Sequence, residues 1–345
     1  MAGIRNVFIG RDRTRAGFDG DITKLLAILG VVLLSTAVFM PKIFYTKANF
    51  TSMAFQFPEF GLMGMGMALS MLTGGSDLSI VSAGNLTAIL TGTLIMRLVP
   101  VDASGSSVVL TLILAMVVGL CLGALMGALN GFLIAKVGIP SILTTLGTGQ
   151  LFNGLGIVIT EGTTLTGFPA MLNRIGNGTA FGLIPYPLII FAVAMLIVAF
   201  IVQRSKFGFR LYMMGTNPVA SSFSGIDNTG MLIRTYALSG ILAAMAGLVI
   251  LARNNSANAD YGSNYIMQTI LVAVMAGFNP SGGKGRITGL VLAVITLQML
   301  SSGLNMTNIT SFFKQLVFGA MLLVLIIINS DVARQYHWFT RKRVT

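Results

Sequence analysis

Seven polar side chains lie within or beside long apolar stretches of the sequence, where together they could hydrogen-bond a polar solute. They are Glu59, Asp77, Asn85, Asn130, Gln150, Asn153 and Asn305. Neutral amides can bind a polyhydroxylated solute without the desolvation cost of a fixed charge. The same amides serve equally well as hydrogen bonds between neighbouring helices, and their spacing alone does not choose between these two roles.

Glu59 is the one carboxylate well inside an apolar run. A charge facing lipid at such a position would cost about 2.5–3.5 kcal/mol, so the side chain should face protein or water. A neutral, hydrogen-bonded structural role and a place in a substrate cavity both fit this position. A proton relay is less favoured, because no second intramembrane acid is clearly paired with it.

Other kinds of chemistry lack the residues they need. The 345 residues include one histidine, His337, and one cysteine, Cys121. A His/Cys metal cluster, a disulfide framework or a Ser-His-Asp triad needs more of these side chains than one copy supplies. The sequence has no G-x-x-x-x-G-K-[ST] stretch to cradle the phosphates of ATP. We therefore expect no catalytic residue, no metal site and no cofactor bound by this chain.

Residues 73–79, with the sequence TGGSDLS, interrupt two apolar runs. The two adjacent glycines let the backbone turn sharply. Asp77 is placed to be the N-cap of the next helix, accepting hydrogen bonds from its first amides. Capping alone would explain the residue. The sharper hypothesis is a discontinuous helix whose irregular backbone lines a polar cavity.

The amino-acid composition indicates that the polar residues named above lie in a protein embedded in a membrane. Charged residues make up 9% of the chain and apolar residues 54%, and the mean hydropathy is +0.86. Soluble domains carry about 25% charged residues, so the sequence predicts an all-α integral membrane protein rather than a soluble enzyme or a disordered chain. Ten apolar runs predict ten transmembrane helices, at Leu25–Met40, Met53–Thr73, Leu78–Leu98, Val108–Ala135, Ile142–Thr160, Pro185–Val202, Ile233–Ala252, Tyr265–Phe278, Ile287–Leu304 and Phe312–Ile328.

Ten spans place both termini on one side of the membrane, and the basic residues indicate which side. With cytoplasmic termini, sixteen Lys and Arg residues face the cytoplasm and six face outward, as the positive-inside rule requires. The net charge of +12 therefore indicates orientation in a lipid bilayer and no nucleic-acid partner. We expect a cytoplasmic segment at 1–23, one transmembrane domain at 24–330 and a basic cytoplasmic tail at 331–345.

The run from Val118 to Phe132 contains glycines at every fourth position, namely Gly119, Gly123, Gly127 and Gly131. On a helix this spacing makes a smooth ridge along which another backbone can approach closely. We expect the ridge to pack against a neighbouring helix. Asn130 lies beside the ridge, as an interhelical hydrogen-bond donor or as part of a polar pathway.

The predicted cytoplasmic loop at 203–228 differs in kind from the other loops. Asn217-Pro218 favours the start of a turn, and Gly225 can end a short helix. A helix between them would present Val219, Ala220 and Phe223 to the cytosol as an apolar knob. We favour a docking element for another protein, although such a helix could also lie on the bilayer surface.

Several blocks, in the same order along the chain, resemble the permease subunits of bacterial ABC importers of the ribose, galactose, arabinose and xylose type. The blocks are Gly74 to Ser79, Gly127 to Ile134 with Ile139-Pro140 and Thr145 to Thr148, the loop residues Phe207-Gly208, Gly215, Asn217, Ala220, Ser224, Gly225 and Ile226, then Ser281 to Gly285 and Gly303 to Asn305. The similarity covers roughly residues 61 to 328. Departures include Ser76 for the usual Ile, and Pro218 and Val219 at positions that are often acidic, which puts an ion pair with the ATPase in doubt.

The resemblance implies a ten-helix permease of two inverted five-helix halves, similar to that of the vitamin B12 importer, in the bacterial inner membrane. Its partners would be a second permease copy or a homologous permease, a cytosolic ATPase dimer that binds ATP and Mg²⁺, and an extracellular or periplasmic solute-binding protein. The loop helix would then be the coupling element. A monosaccharide is the expected solute, with nucleosides or furanosyl signals as further candidates.

Two other functions compete with this interpretation. An ion-coupled secondary transporter of sugars or nucleosides needs an intramembrane carboxylate, for which Glu59 is the strong candidate. A membrane-embedded enzyme needs clustered acids, histidines or a metal site, and the composition offers almost none.

Overall fold

The structure, a computed structural model, describes residues 20–100, 105–307 and 310–329. The predicted terminal segments, apart from residues 20–23, therefore lie outside the described residues. The helices of the first part are α1 (Gly20–Phe39), α2 (Pro41–Phe44), α3 (Lys47–Leu72), α4 (Ile80–Leu98), α5 (Ser106–Phe132, continued by a π-helical turn at Leu133–Val137), α6 (Ser141–Thr160) and α7 (Ala170–Asn177). Those of the second part are α8 (Tyr186–Arg204), α9 (Lys206–Thr216), α10 (Pro218–Phe223), α11 (Asn228–Asn254), α12 (Tyr265–Met275), α13 (Ile287–Met306) and α14 (Ser311–Asn329).

Each of the ten predicted apolar runs falls on a helix, and the prediction of an all-α membrane protein is confirmed. Seven of the described helices are long and apolar enough to cross a membrane, namely α1, α4, α5, α6, α8, α11 and α13. The span predicted at Tyr265–Phe278 is helical only as far as Met275. At 1.5 Å per residue its 11 residues extend about 16 Å, half of a hydrocarbon core, and irregular backbone completes the segment. The count of ten transmembrane helices stays a prediction.

The glycine ridge packs against α11, as expected. A Cβ added at Gly127 would overlap the backbone carbonyl of Tyr236, and one added at Gly131 would lie 2.6 Å from Cα of Ile233. Gly240 on α11 faces the backbone of Gly123 in the same way. Without side chains between them, the two backbones approach closely along several turns. This places α11 at the centre of the bundle, also in contact with α3 and α4.

The pairs of neighbouring helices recur in the two halves of the chain. In the first half α4 packs against α5 and α6, and in the second half α12 packs against α13 and α14. Between the halves, α11 contacts α4 and α5, while α3 contacts the equivalent α12 and α13. If each half has the five spans predicted from the sequence, equivalent helices run in opposite directions. The recurring neighbours agree with the two-half architecture that the family resemblance implies, and the inversion of the halves stays a prediction.

Loops gather at two opposite ends of the bundle. One end, called the α10 end below, holds residues 73–79, 205–227 and 276–286, which contact one another. The other end carries α7 and two small antiparallel sheets. Strand β1 (Leu165–Thr166) pairs with β4 (Ser256–Ala257), and β2 (Thr179–Ala180) pairs with β3 (Ile184–Pro185). These sheets, α2, α7 and α9 were not predicted from the sequence, because short amphipathic segments in loops leave no long apolar run.

Candidate functional site

The short helix predicted in the loop at 203–228 is α10, and it lies on the surface. Its N-cap is Asn217, whose side-chain oxygen accepts hydrogen bonds from the amides of Val219 (3.1 Å) and Ala220 (3.0 Å). Val219 and Phe223, four residues apart on one face, are exposed, and Phe223 is 90% exposed. The apolar knob predicted from the sequence is therefore present at the surface of the molecule.

Two polar contacts fix α10 to the start of α11. Ser221, the one buried residue of α10, donates from Oγ to Oδ1 of Asn228 (2.8 Å), and Asn228 donates from Nδ2 to the carbonyl of Pro218 (2.7 Å). Between the helices Gly225 has φ +77°, a conformation that side chains with a Cβ rarely adopt. The amide of Ile226 bonds back to the carbonyl of Ser221 at 3.1 Å, which closes the helix end. The geometry needed for a rigid link between α10 and α11 is thus in place.

Helix α9 ends in a junction of three backbone segments, which we call the glycine junction: Leu72 to Gly74, Gly215 and Gly282-Gly283. The amide of Gly283 donates to the carbonyl of Leu72 (3.1 Å), and a Cβ on Gly215 would overlap that same carbonyl. A Cβ on Gly282 would lie 2.5 Å from the carbonyl oxygen of Gly215. The segments meet backbone to backbone, so no side chain can yield if one of them moves.

Tyr212 adds a side-chain bond beside the junction. Its hydroxyl donates to the carbonyl of Gly285 at 2.7 Å. A tyrosine hydroxyl is protonated at neutral pH and can donate, and burial raises the pKa of this phenol further above its usual range. Helix α9 is therefore held to the loop at 276–286 by both its backbone and a side chain.

Asp77 lies at the centre of a buried polar cluster five residues beyond Leu72. Its Oδ1 accepts from the amide (3.2 Å) and hydroxyl (2.6 Å) of Ser79, and its Oδ2 accepts from the hydroxyl of Ser239 on α11 (2.7 Å). Asn130 on α5 donates to Oγ of Ser79 at 2.8 Å. The cluster joins α4, α5 and α11 beside the glycine junction.

The capping role predicted for Asp77 needs a correction. Helix α4 begins at Ile80, and its N-cap position is Ser79, two residues later than expected. Asp77 instead bonds to Ser79 itself, because the turn at residues 78–79 precedes the helix. The irregular backbone predicted here is confirmed, since Thr73–Ser79 contains no regular helix between α3 and α4. That this segment lines a polar cavity stays a prediction.

Glu59 forms a second polar cluster nearer the opposite end of the bundle. Its Oε1 lies 2.5 Å from Nε of Arg253 on α11, and its Oε2 accepts from the hydroxyl of Tyr265 on α12 at 3.0 Å. The Glu59 side chain is 1% exposed and the Arg253 side chain 21%. The carboxylate is thus paired with a cation inside the bundle, an arrangement that the sequence alternatives did not include.

The other pathway candidates divide between buried and exposed positions. Asn85 is buried and donates to the carbonyls of Ala259 (2.8 Å) and Tyr261 (2.7 Å), so it holds the loop before α12. Asn153 is half-buried and its Nδ2 lies 3.5 Å from Oδ1 of Asp260. The remaining two, Gln150 on α6 and Asn305 on α13, are exposed.

Three residues of these clusters were missed by sequence reasoning. Arg253 and Tyr265 stand at the ends of apolar runs, where they resemble ordinary interfacial residues, and Ser239 resembles any small residue of a helix. Their partners lie far along the chain, and one sequence carries no signal of such pairs. Within the three described ranges, no group of three or more His, Cys, Asp or Glu side chains could hold a metal ion.

The structure is a bundle of apolar helices with polar clusters between them and with a surface helix, α10, attached to the central helix α11. This architecture is the one expected of a multi-pass membrane permease. Residues 49–326 match the family of the branched-chain amino acid transport system permease component, and the chain belongs to this family. It is a permease subunit of an ABC importer, a transport protein rather than an enzyme, and ATP hydrolysis belongs to a separate subunit. Permeases of this class work together with an ATPase and a solute-binding protein.

Curated relatives match almost the whole chain. The ribose import permease protein RbsC of Bacillus subtilis is 34% identical over 321 residues, which cover 92% of this chain and 96% of the relative. RbsC of Escherichia coli K12 is 30% identical, with 89% and 92% covered. The autoinducer 2 import system permease protein LsrD of Enterobacter sp. strain 638 is also 30% identical, with 81% and 83% covered. No solved structure matches the chain.

Proposed function

We propose that this permease carries a monosaccharide, with ribose as the first candidate, across the bacterial inner membrane. The support is the similarity to two ribose permeases over nearly their full lengths, together with polar groups that are mostly neutral. Amides and hydroxyls suit a solute that donates and accepts many hydrogen bonds and carries no charge. The autoinducer 2 permease among the relatives makes a furanosyl signal the alternative solute.

The α10 end faces the cytoplasm in this proposal, and both termini lie on that side. The basic residues at or near this end, in its loops and in the adjoining helix ends, are Lys136, Arg204, Lys206, Arg210, Arg234, Lys284 and Arg286. A cytoplasmic α10 end agrees with the positive-inside rule for the whole sequence. The opposite end, with α7 and the small sheets, then receives the solute from a binding protein.

The ATPase acts on the permease through α10, with ATP and Mg²⁺ held entirely by the ATPase. The observation that carries this step is the exposed pair Val219 and Phe223 on a helix fixed at both ends. Pro218 and Val219 offer no charge, so the contact is apolar rather than an ion pair. Movement of α10 reaches Asp77 by way of α9 and the glycine junction.

A substitution at Gly225 tests the function together with this coupling. In proteoliposomes that contain the permease, the ATPase and the binding protein, we expect ATP-dependent ribose uptake, and uptake without the ATPase would support the ion-coupled alternative. Gly225→Val cannot adopt φ +77° without strain, so it should reorient α10. We expect ATP hydrolysis to continue while ribose uptake falls about tenfold or more. Ser222→Ala, an exposed change on the same helix, should leave both rates unchanged; normal uptake by the Gly225 variant would refute the role of α10.

The ion-coupled alternative gains no support from Glu59. A coupling carboxylate must exchange protons or bind ions during the cycle, whereas Glu59 is buried against Arg253. The arrangement resembles a structural tie between three helices.

A second permease copy covers the outer face of α6 in this proposal. Gly147 and Gly154 on this face have nothing within 4 Å of an added Cβ, and Gln150 between them is exposed. An amide and two bare glycines within an apolar span are poorly solvated by lipid, whereas they allow close approach of another helix. If the same face of a second copy packed here, the Gln150 side-chain amides of the two copies could hydrogen-bond to each other.

Crosslinking at Gln150 measures this contact. The chain has a single cysteine, Cys121, so Gln150→Cys in a Cys121→Ala background places one thiol on the α6 face. We expect an oxidised dimer of twice the subunit mass on a non-reducing gel. Leu110→Cys, on the exposed apolar face of α5, is the matched control and should stay monomeric. If both cysteine variants stay monomeric, the proposal that α6 forms the interface between the two permease copies is wrong.

A further inference from the structure

The hairpin formed by β2 and β3 ends in an exposed aromatic residue. The strands pair Thr179 with Pro185 and Ala180 with Ile184. The turn between them is closed by a hydrogen bond from the amide of Leu183 to the carbonyl of Ala180 at 3.1 Å. At its tip Phe181 is 96% exposed and Leu183 69% exposed. We call residues 179–185 the tip hairpin.

The backbone at this tip is strained. Phe181 has φ +54° and Gly182 has φ +69°, which is the pattern of a type I′ turn. The first position of such a turn favours Asn, Asp or Gly, and a residue with a large side chain there costs about 1 kcal/mol. A smaller polar residue would relieve the strain and remove the exposed ring together. A contact outside the chain would offset both costs.

The exposed residues of the tip continue into an exposed apolar face of α8. Along the chain after the tip, Ile184 and Tyr186 are exposed while Pro185 and Pro187 are buried. The exposed side then follows α8 through Ile189, Val193 and Leu196. Helix α8 is long and apolar enough to cross the membrane and begins at Tyr186, directly after β3 without a linker. The tip therefore lies at most a few residues' length from the level where the apolar core begins.

We propose that the tip hairpin is a membrane-interface anchor, with Phe181 and Leu183 inserted among the lipid headgroups at the end of the bundle opposite α10. Aromatic and aliphatic side chains partition into this zone, and aromatic belts mark it in membrane proteins. Residues 162–185 include one basic residue, Arg174, and no acid, so this segment itself brings no negative charge to a bilayer surface. The anchor would hold α7 and the start of α8 at a fixed depth.

Tryptophan fluorescence tests the anchor in the full chain. Trp338 is the only tryptophan, so Phe181→Trp in a Trp338→Phe background gives a single reporter at the tip. In proteoliposomes we expect a blue-shifted emission that loses more than half of its intensity when the lipid acyl chains are brominated. Aqueous iodide should quench it weakly. Thr166→Trp, in the exposed position of β1 at the same end, is the control and should show the opposite pattern.

Leu183→Trp, outside the strained position, repeats the measurement if the first variant does not fold. Strong iodide quenching with no effect of brominated lipid at both positions would overturn the proposal. Iodide quenching that the solute-binding protein relieves would assign the hairpin to protein docking, which also overturns it.

Discussion

Replacing Arg253 with methionine will destabilise the folded permease by about 3 kcal/mol, because it leaves the Glu59 carboxylate buried without a cation. The Tyr265 hydroxyl alone remains to hydrogen-bond that carboxylate. Glu59→Gln should cost less, since Arg253 is 21% exposed and its guanidinium can reach water. We expect the melting temperature in lipid nanodiscs to fall in the order wild type, Glu59→Gln, Arg253→Met.

The double variant Glu59→Gln/Arg253→Met tests whether the unpaired Glu59 carboxylate is the cause of the lost stability. With no buried charge left, its stability should return close to that of Glu59→Gln. Arg174→Met is the control, because Arg174 is an exposed arginine at the same end of the bundle, and it should change the free energy of unfolding by less than about 0.5 kcal/mol. Equal destabilisation by the Arg253 and Arg174 variants would show that the ion pair contributes nothing.

Gly215→Ala will separate ATP hydrolysis from transport. The added Cβ overlaps the carbonyl of Leu72 and lies 2.6 Å from the amide nitrogen of Gly283, so α9 must shift away from the end of α3. Backbone atoms cannot rotate aside as a side chain can, and the Gly283–Leu72 hydrogen bond is strained or lost. Because α10 is attached directly to α9, we expect solute uptake per ATP hydrolysed to fall about tenfold or more.

Two further variants separate coupling from stability. Gly30→Ala in α1 adds a Cβ with nothing within 4 Å and should behave as wild type. Tyr212→Phe removes the hydrogen bond to Gly285 without adding an atom, and should lower the ratio of uptake to hydrolysis in the same direction by a smaller factor. If Gly215→Ala lowers hydrolysis and uptake equally, the glycine junction is structural and does not transmit movement.

Local features of the sequence predicted the elements well. The ten apolar runs became helices because length and hydropathy are properties of a single segment. The glycine ridge, α10 and the positive φ of Gly225 followed from spacing and from residue types with defined backbone preferences. The irregular segment at Thr73–Ser79 followed from its two glycines, although Asp77 caps the turn and not the helix.

The partners of the polar residues could not be predicted. Glu59 and Arg253 are separated by almost two hundred positions, and the bond between Asp77 and Ser239 spans 162. Each residue has several chemically acceptable partners, and only the packing of α3, α4 and α5 around α11 selects among them.

The sequence alone determined that this chain is a helical membrane protein with an exposed apolar helix in one loop, since hydropathy, charge bias and turn residues act locally. The tertiary structure decided that Glu59 is neutralised by Arg253, that Asp77 lies in a cluster shared by three helices, and that Gly215 joins α9 to α3 by backbone contact. These are contacts between distant segments, and they exist only once the helices have packed.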